Sequence, residues 1–242
     1  MSNSLSLFID NRELSSTATK LFESYLSESD NEDYFYNLFG VSYRFMFGDI
    51  KYDRFVFELL ERYYRNDFFV RHRFFSNVLS TKNATSFFEL PVNESRADMV
   101  SINGKSVAYE IKTRYDSLNR LTKQLDDYSK AFEYVYVICD RDILEDVLNT
   151  IPSHCGIYTY NDRNRISFKL YKRAIKSDLL DNKTMLSMML KSERIRFFKN
   201  PDIESILSDY DSETIDLSFK KALKKRFIPK MDEINKRCEL FI

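Results

Sequence analysis

Three short β-favouring runs follow one another between residues 86 and 113, and they constrain the fold more than any other feature. The runs cover residues 86–92, 96–102 and 106–113, with turn-forming residues between them. Asn103-Gly104, a strong hairpin signal, separates the last two runs. Because the whole chain has only four glycines and four prolines, we expect long helices on both sides of these strands.

Helical patterns flank the strands. Apolar residues recur at helical spacing up to about Arg73. After the third strand, Asp116 or Ser117 can cap a helix, and residues 134–138 then form an apolar run typical of a buried central strand. The order helix, three strands, helix, strand predicts an α/β fold.

The pattern also predicts three regions. A helical N-terminal region at residues 1–75 packs on a core at residues 76–175, and a helical C-terminal region follows at residues 176–242. Within the core, a further hairpin is expected between residues 156–160 and 165–171.

Charge and cysteine content narrow the classes of function. The chain has 37 basic and 37 acidic residues, so a nucleic-acid partner must be met by a local basic face. Cys139, Cys155 and Cys238 are far apart, as is typical of reduced thiols. No apolar run reaches membrane-spanning length. We therefore expect a cytoplasmic protein with no membrane partner.

Asp98, Glu110 and Lys112 could together hold a hydrolytic metal ion. Asp98 lies in the second run, and the other two lie two positions apart in the third, which places them on one face of a strand. Phosphodiester hydrolysis needs hard oxygen ligands for Mg²⁺ and a positive group beside the attacking water. This set predicts a magnesium-dependent nuclease.

Asp98 reaches that face only if the hairpin pairs residues whose numbers sum to an even value. A two-residue Asn103-Gly104 loop would point its carboxylate to the opposite face. An odd loop of residues 102–104, with Gly104 in the left-handed conformation, sets Asp98 opposite Ala108. We therefore predict an odd loop or a bulge at this hairpin.

Spacing alone does not separate this interpretation from a solvated strand face. Residues 49–51 and 181–183 show the same acid-x-Lys spacing without a preceding hairpin that carries an acid. The helix after the third strand adds Arg120, Gln124 and Tyr128 at successive i, i+4 positions. A stripe of this kind favours a catalytic site. The alternative is that Tyr128 packs in the core and that Arg120 and Gln124 face solvent.

With these motifs the chain resembles the sce7726 family of the PD-(D/E)XK, restriction-endonuclease-like superfamily. The resemblance covers roughly residues 86–140 and rests on Arg96-Ala97-Asp98, Tyr109-Glu110-Ile111-Lys112-Thr113, residues 116–121, Gln124, Tyr128 and the apolar strand that follows. It implies a restriction-endonuclease-like αβββαβ nuclease core with helical N-terminal and C-terminal extensions. Ala97 stands where the superfamily's name has proline, a departure that removes no ligand.

The resemblance also implies roles for individual residues. Asp98, Glu110 and the Ile111 carbonyl would bind Mg²⁺ or Mn²⁺, and Lys112 would orient or deprotonate the attacking water. Gln124 would lie beside the site as a further catalytic residue. The supporting residues would be Glu89, Arg96, Arg120, Tyr128 and an acid from the first helix, either Glu58 or Glu61.

Basic residues interleaved with aromatic ones offer contacts to nucleic acid. The candidates are Arg62, Arg65, Arg71 and Arg73 before the strands, and Lys224 and Lys225 within a basic cluster at residues 220–226. Solvated helix faces are the alternative explanation for both groups.

These observations predict that the protein is a metal-dependent phosphodiester hydrolase, either an endonuclease or an exonuclease. DNA is the expected partner. Restriction or defence against foreign DNA is suggested by the resemblance alone. A catalytically inactive module that binds nucleic acid or a protein, and a nuclease directed at RNA, are the alternatives. Sequence specificity and a homodimeric state are left open.

Overall fold

Residues 85–112 form three antiparallel strands, as their β-favouring pattern predicts. The structure is a computed structural model that describes residues 67–79, 84–161 and 167–239. Val70–Glu233 form one compact unit, and its centre is a six-stranded mixed sheet surrounded by helices. The protein is therefore a mixed α/β protein, in agreement with the predicted class.

The elements follow the predicted order of helix, three strands, helix and strand. They are α1 (Asp67–Phe74), a π-helical turn (Phe75–Leu79), β1 (Thr85–Val92), β2 (Ser95–Asn103), β3 (Lys105–Lys112), α2 (Leu121–Ala131), β4 (Tyr134–Asp140), a 3₁₀ turn (Arg141–Ile143), α3 (Leu144–Thr150), β5 (Gly156–Asn161) and β6 (Ser167–Lys172). The C-terminal helices are α4 (Asn182–Met188), α5 (Lys191–Phe198), α6 (Ile203–Asp209) and α7 (Ser212–Glu239).

The six strands lie in the sheet in chain order. β1, β2 and β3 are antiparallel neighbours, β3, β4 and β5 are parallel, and β6 returns antiparallel to β5. Parallel neighbours need a crossover, and α2 and α3 supply the two crossovers here. The predicted second hairpin is confirmed as β5 and β6.

The β2–β3 hairpin has the predicted parity but a tighter turn. Asn103 pairs with Lys105, Val100 pairs with Ala108, and the tip residue Gly104 has φ +70°. The pairs therefore sum to an even value, and the odd loop with a left-handed Gly104 is confirmed. The prediction that Ala108 lies opposite Asp98 is wrong, because pairing continues to the last residue before the glycine and shifts the register by two.

One hydrophobic core joins the sheet to the helices on one of its faces. Leu121, Leu125 and Tyr128 of α2 belong to the same buried cluster as Val135 and Val137 of β4. The C-terminal helices add to this cluster through Met185, Phe198, Ile206 and Phe219. They therefore share the core of the sheet instead of forming a separate bundle.

The other face of the sheet carries an aromatic cluster under α1. The ring of Phe74 lies 5.2 Å from that of Tyr109 and 5.1 Å from those of Tyr158 and Phe168, measured between centroids. Offset and edge-on aromatic pairs of this kind stabilise packing beyond the area that they bury. The cluster fixes α1 across the sheet.

The start of α2 differs from the prediction. The helix begins at Leu121, because Asp116 closes the preceding turn by accepting bonds from the Thr113 amide and hydroxyl, both at 2.7 Å. Asp116 therefore stabilises the end of β3 and does not cap the helix. Within the described residues, no helix is both long and apolar enough to cross a membrane.

Candidate active site

Asp98 and Glu110 both lie just beyond the end of the β2–β3 ladder. The last backbone pair is Met99 with Tyr109. Beyond this pair, the Ile111 amide donates to Asp98 Oδ2 at 2.7 Å. The acceptor here is the Asp98 side chain and not a backbone carbonyl of β2. This bond holds the Asp98 carboxylate beside the segment of β3 that carries Glu110.

Glu110 and Lys112 form a buried ion pair on the α2 face of the sheet. Lys112 Nζ lies 2.8 Å from Glu110 Oε1, and the two residues are 8% and 2% exposed. Burying two charges costs several kcal/mol per ion unless further hydrogen bonds satisfy them. The other donors and acceptors around this pair therefore decide whether the arrangement is stable.

Those further hydrogen bonds come from two residues one turn apart on α2. Gln124 Nε2 donates to Glu110 Oε1 at 2.7 Å, while Gln124 Oε1 accepts from Lys112 Nζ at 3.1 Å. The Tyr128 hydroxyl lies 2.7 Å from Glu110 Oε2 and 2.7 Å from the Arg96 carbonyl oxygen. Burial, together with the negative charge of Glu110, raises the pKa of Tyr128, so its hydroxyl stays a donor.

A second charged group borders the site on the side of Asp98. Arg71 of α1 forms an ion pair with Glu89, and its Nη2 lies 4.0 Å from Asp98 Oδ1. Glu89 also accepts from Arg96 Nε at 2.7 Å. Its φ of +54° is in the left-handed region, which costs about 1 kcal/mol or more for a residue other than glycine. The two ion pairs hold the Glu89 side chain between Arg71 and Arg96.

The turn after β3 is fixed beside the site. Arg114 donates through Nε to the buried Asp140 carboxylate at 2.8 Å, and its Nη1 lies 3.1 Å from Asp142. The next residue, Tyr115, is 76% exposed. The sequence gives no local signal for the Arg114–Asp140 contact, because 26 positions separate its partners.

The structure brings most of the predicted site residues together. Glu110, Lys112, Gln124 and Tyr128 form one hydrogen-bond network. Asp98 is held beside it by the amide of Ile111, the residue between Glu110 and Lys112. Glu89 and Arg96 lie next to it. Arg120 is exposed at the residue before α2, one turn from Gln124.

The predicted nucleic-acid contacts fall into different settings. Arg71 contacts the site carboxylates, Arg73 is half-buried on α1, and on α7 Lys225 is exposed and Lys224 half-buried. The rest of the α7 cluster is partly structural, since Lys220 is buried between Glu133 and Asp216 and Arg226 pairs with Glu193. Glu58, Glu61, Arg62 and Arg65 lie outside the described residues.

The oxygen donors suit a hard cation. Among the described residues, no group of three or more His, Cys, Asp or Glu side chains could hold a metal ion. Mg²⁺, however, is usually bound by one or two carboxylates together with water and substrate phosphate. Glu110 accepts three hydrogen bonds, and a carboxylate has about four acceptor positions. Asp98, Glu110 and the Ile111 carbonyl therefore fit Mg²⁺ by the chemistry of their oxygens.

The chain is similar to a protein of bacteriophage P4. The family model described as bacteriophage P4 protein cII matches residues 61–239. Protein cII of Enterobacteria phage P4 is 32% identical over 99 residues, which cover 40% of this chain and 38% of that protein. The chain thus matches less than half the length of this relative. No solved structure matches the chain.

Proposed function

The chain belongs to the bacteriophage P4 protein cII family, and we propose that it is a metal-dependent nuclease that hydrolyses phosphodiester bonds of DNA. In this proposal, α1, β1 to β3, α2 and β4 are a restriction-endonuclease-like core of the PD-(D/E)XK type. The resemblance to the sce7726 family supports it and suggests a context of restriction or defence against foreign DNA.

The observation that carries the proposal is the buried Glu110–Lys112 pair beside Asp98. An apolar pair at these two positions would pack the sheet without the cost of removing charges from water. The side-chain polar atoms of Gln124 and Tyr128 contact this pair, and the Tyr128 hydroxyl also contacts the Arg96 carbonyl. A buried ion pair contributes little to stability by itself, which supports a functional role for this one.

Each residue has a separate task in the proposed reaction. Mg²⁺, held by Asp98, Glu110 and the Ile111 carbonyl, would stabilise charge on the phosphate and activate water. Lys112 orients the attacking water and balances the negative charge that grows on the phosphate. Gln124 holds the Lys112 ammonium in place, because its amide contacts both Lys112 and Glu110.

A cleavage assay tests the proposal. The full chain is incubated with Mg²⁺ and single-stranded DNA, duplex DNA or RNA, beside the Lys112→Ala and Lys105→Ala variants. We expect DNA cleavage that Lys112→Ala lowers by at least about 100-fold. Lys105→Ala is the matched control, since Lys105 is an exposed lysine on the same strand.

Three results would contradict this assignment. If the wild-type chain cleaves none of the substrates, the nuclease proposal fails. If Lys112→Ala cleaves as well as Lys105→Ala, the reaction does not use this site. If only RNA is cleaved, the chemistry stands and the substrate class changes.

One observation favours an inactive binding module as the second candidate. Glu110 is bonded to Lys112, Gln124 and Tyr128, and Asp98 to the Ile111 amide, so both carboxylates are held by protein groups. A network of this kind can persist without a metal ion. Calorimetric titration with Mg²⁺ separates the candidates, because a module of this kind need not bind the ion at these carboxylates.

A further inference from the structure

A cavity of about 330 Å³ opens where β4 and β5 end. Arg141 and Leu144 line it from the segment after β4, Thr159 and Asn161 from β5, and Lys169 and Tyr171 from β6. Its volume is near the lower limit for small-molecule pockets, which extend from about 300 to 1,000 Å³. The cavity is therefore large enough for one compact ligand.

The lining of the cavity is positively charged. Arg141 and Lys169 are exposed, and neither forms an ion pair with a carboxylate in the described parts of the chain. The described lining residues include no acid. Two cations without an acidic partner in the described part of the chain, beside hydroxyl and amide groups, favour an anion, and a phosphate accepts from both kinds of donor.

An aromatic ring completes the lining. Tyr171 lies in the cavity wall and is 52% exposed, so one part of the side chain is open to a ligand. Exposed aromatic rings next to cations are typical of sites where a nucleic-acid base stacks and its phosphate is held. Leu144 adds apolar surface to the same cavity.

The sheet register relates the cavity to the candidate active site. Lys112 pairs with Cys139, Cys139 with Thr159, and Thr159 with Lys169, so one row of the sheet runs from the site to the cavity. Paired residues face the same side of a sheet, and neighbouring strands are about 4.8 Å apart. Thr159 is therefore roughly 10 Å from Lys112 on the same face, a span of about three nucleotides at a rise of about 3.4 Å.

We propose that this cavity binds a nucleoside monophosphate unit, with its phosphate on Arg141 and Lys169 and its base on Tyr171. The inference rests on the proposed nuclease function, in which this unit belongs to the substrate strand a few nucleotides from the bond that is cut. A free mononucleotide presents the same chemistry, and the experiment separates the two sources.

The test measures binding without cleavage. The full chain is titrated with a short fluorescein-labelled single-stranded oligodeoxynucleotide in EDTA, and fluorescence anisotropy is read. The Arg141→Ala/Lys169→Ala variant should bind about tenfold more weakly, and the slope of its log affinity against log salt should fall by about 0.7 for each phosphate that is no longer neutralised. Tyr171→Ala should also lose affinity, whereas Tyr171→Phe keeps the ring and should bind as the wild type does.

A matched control removes the same charge elsewhere. Lys191 and Arg196 are exposed on α5 and do not line the cavity. The Lys191→Ala/Arg196→Ala variant should bind the oligonucleotide as the wild type does. If the cavity variant and this control bind equally well, the inference is overturned.

Thymidine 5′-monophosphate identifies the source of the ligand. If calorimetry shows that it binds the wild type and not the Arg141→Ala/Lys169→Ala variant, the cavity takes a free mononucleotide. If only the oligonucleotide binding depends on the cavity, the ligand is the substrate strand. Because these titrations need no metal, normal binding by the cavity variant alongside cleavage by the wild type would reject the cavity and retain the nuclease. Weakened binding by the cavity variant, with no cleavage by the wild type, would retain the cavity and reject the nuclease.

Discussion

The Tyr128 hydroxyl lies 2.7 Å from Glu110 Oε2, on a ring that is fully buried in the core. The same tyrosine therefore fills the centre of the hydrophobic cluster and fixes the orientation of the acid at its border. A change that removes only the hydroxyl separates these two contributions.

For Tyr128→Phe we expect a loss of stability with the fold retained. The substitution leaves Glu110 Oε2 and the Arg96 carbonyl without this donor, which costs about 1–3 kcal/mol in the free energy of unfolding. Cleavage should fall as well, since the carboxylate is held less firmly. Urea unfolding measures the first effect and the DNA cleavage assay the second.

Tyr134→Phe is the matched control for that measurement. Tyr134 is half-buried at the start of β4, and its ring contacts the Lys105 ammonium at 5.1 Å, a contact that phenylalanine keeps. Equal losses of stability in the two variants would show that the hydroxyl of Tyr128 is of no special importance.

Mg²⁺ should stabilise the wild-type chain against unfolding and have no such effect on Asp98→Asn. A ligand that binds only the native state adds about 2.7 kcal/mol at about 100 times its dissociation constant. The asparagine can still accept from the Ile111 amide, so the packing is retained while the charge is removed. Thermal unfolding with and without Mg²⁺ gives the comparison. Asp178→Asn, at an exposed acid, should keep the full effect.

Gly104→Ala should cost about 1 kcal/mol of stability through backbone strain alone. The glycine has φ +70°, and a Cβ at this position would meet no heavy atom within 4 Å. Gly156→Ala should cost more, because its Cβ would clash with the Tyr136 ring and lie 2.6 Å from the Ala174 amide nitrogen. Chemical denaturation of both variants checks the order, and the reverse order would contradict the close packing at Gly156.

Glu133 should stabilise the fold in a pH-dependent way. Burial by itself raises the pKa of this carboxyl, but the Lys220 ammonium and the Ser106 amide outweigh it, so the pKa lies below its usual range. The stabilisation is then present above the unfolded pKa of about 4.3 and is lost as the pH falls through the lower folded value.

The variant Glu133→Gln measures this contribution. Near neutral pH it should be about 1.5–3 kcal/mol less stable than the wild type. Below about pH 4 the difference should shrink, because the wild-type carboxyl becomes protonated. Urea titrations across this range give both values. A difference that does not vary with pH would mean that the charge of Glu133 contributes nothing.

The strands of the site could be predicted because side chains alternate between the two faces of a strand with a period of two, and the sequence shows the same period. Alternation along β3 places Glu110 and Lys112 on one face, and the parity of the hairpin adds Asp98. The expected partner of Asp98 is two residues from the observed register, since parity is unchanged when a turn tightens by one residue on each side. Sequence alone does not fix how far Asn103 and Lys105 continue the ladder.

Long-range ion pairs could not be predicted in this way. Arg71 and Glu89 meet between α1 and β1, and Lys220 reaches Glu133 from α7, so helical or strand periodicity gives no signal for either contact. Lys220 and Lys225 belong to one basic run in the sequence, yet the first is buried and the second exposed. The packing of α7 on the core makes that distinction.

The Ile111 amide gives a way to observe the candidate site in the absence of any reaction. In the interior of a sheet, an amide proton is usually shielded from solvent exchange by a carbonyl of the next strand, whereas this one is held by the Asp98 carboxylate. A metal ion that binds the Asp98 carboxylate weakens its hydrogen bond to the Ile111 amide. The rate at which the amide proton exchanges with deuterium should then change. The exchange rate and the amide chemical shift of Ile111 would therefore show whether the site is occupied, without any cleavage reaction.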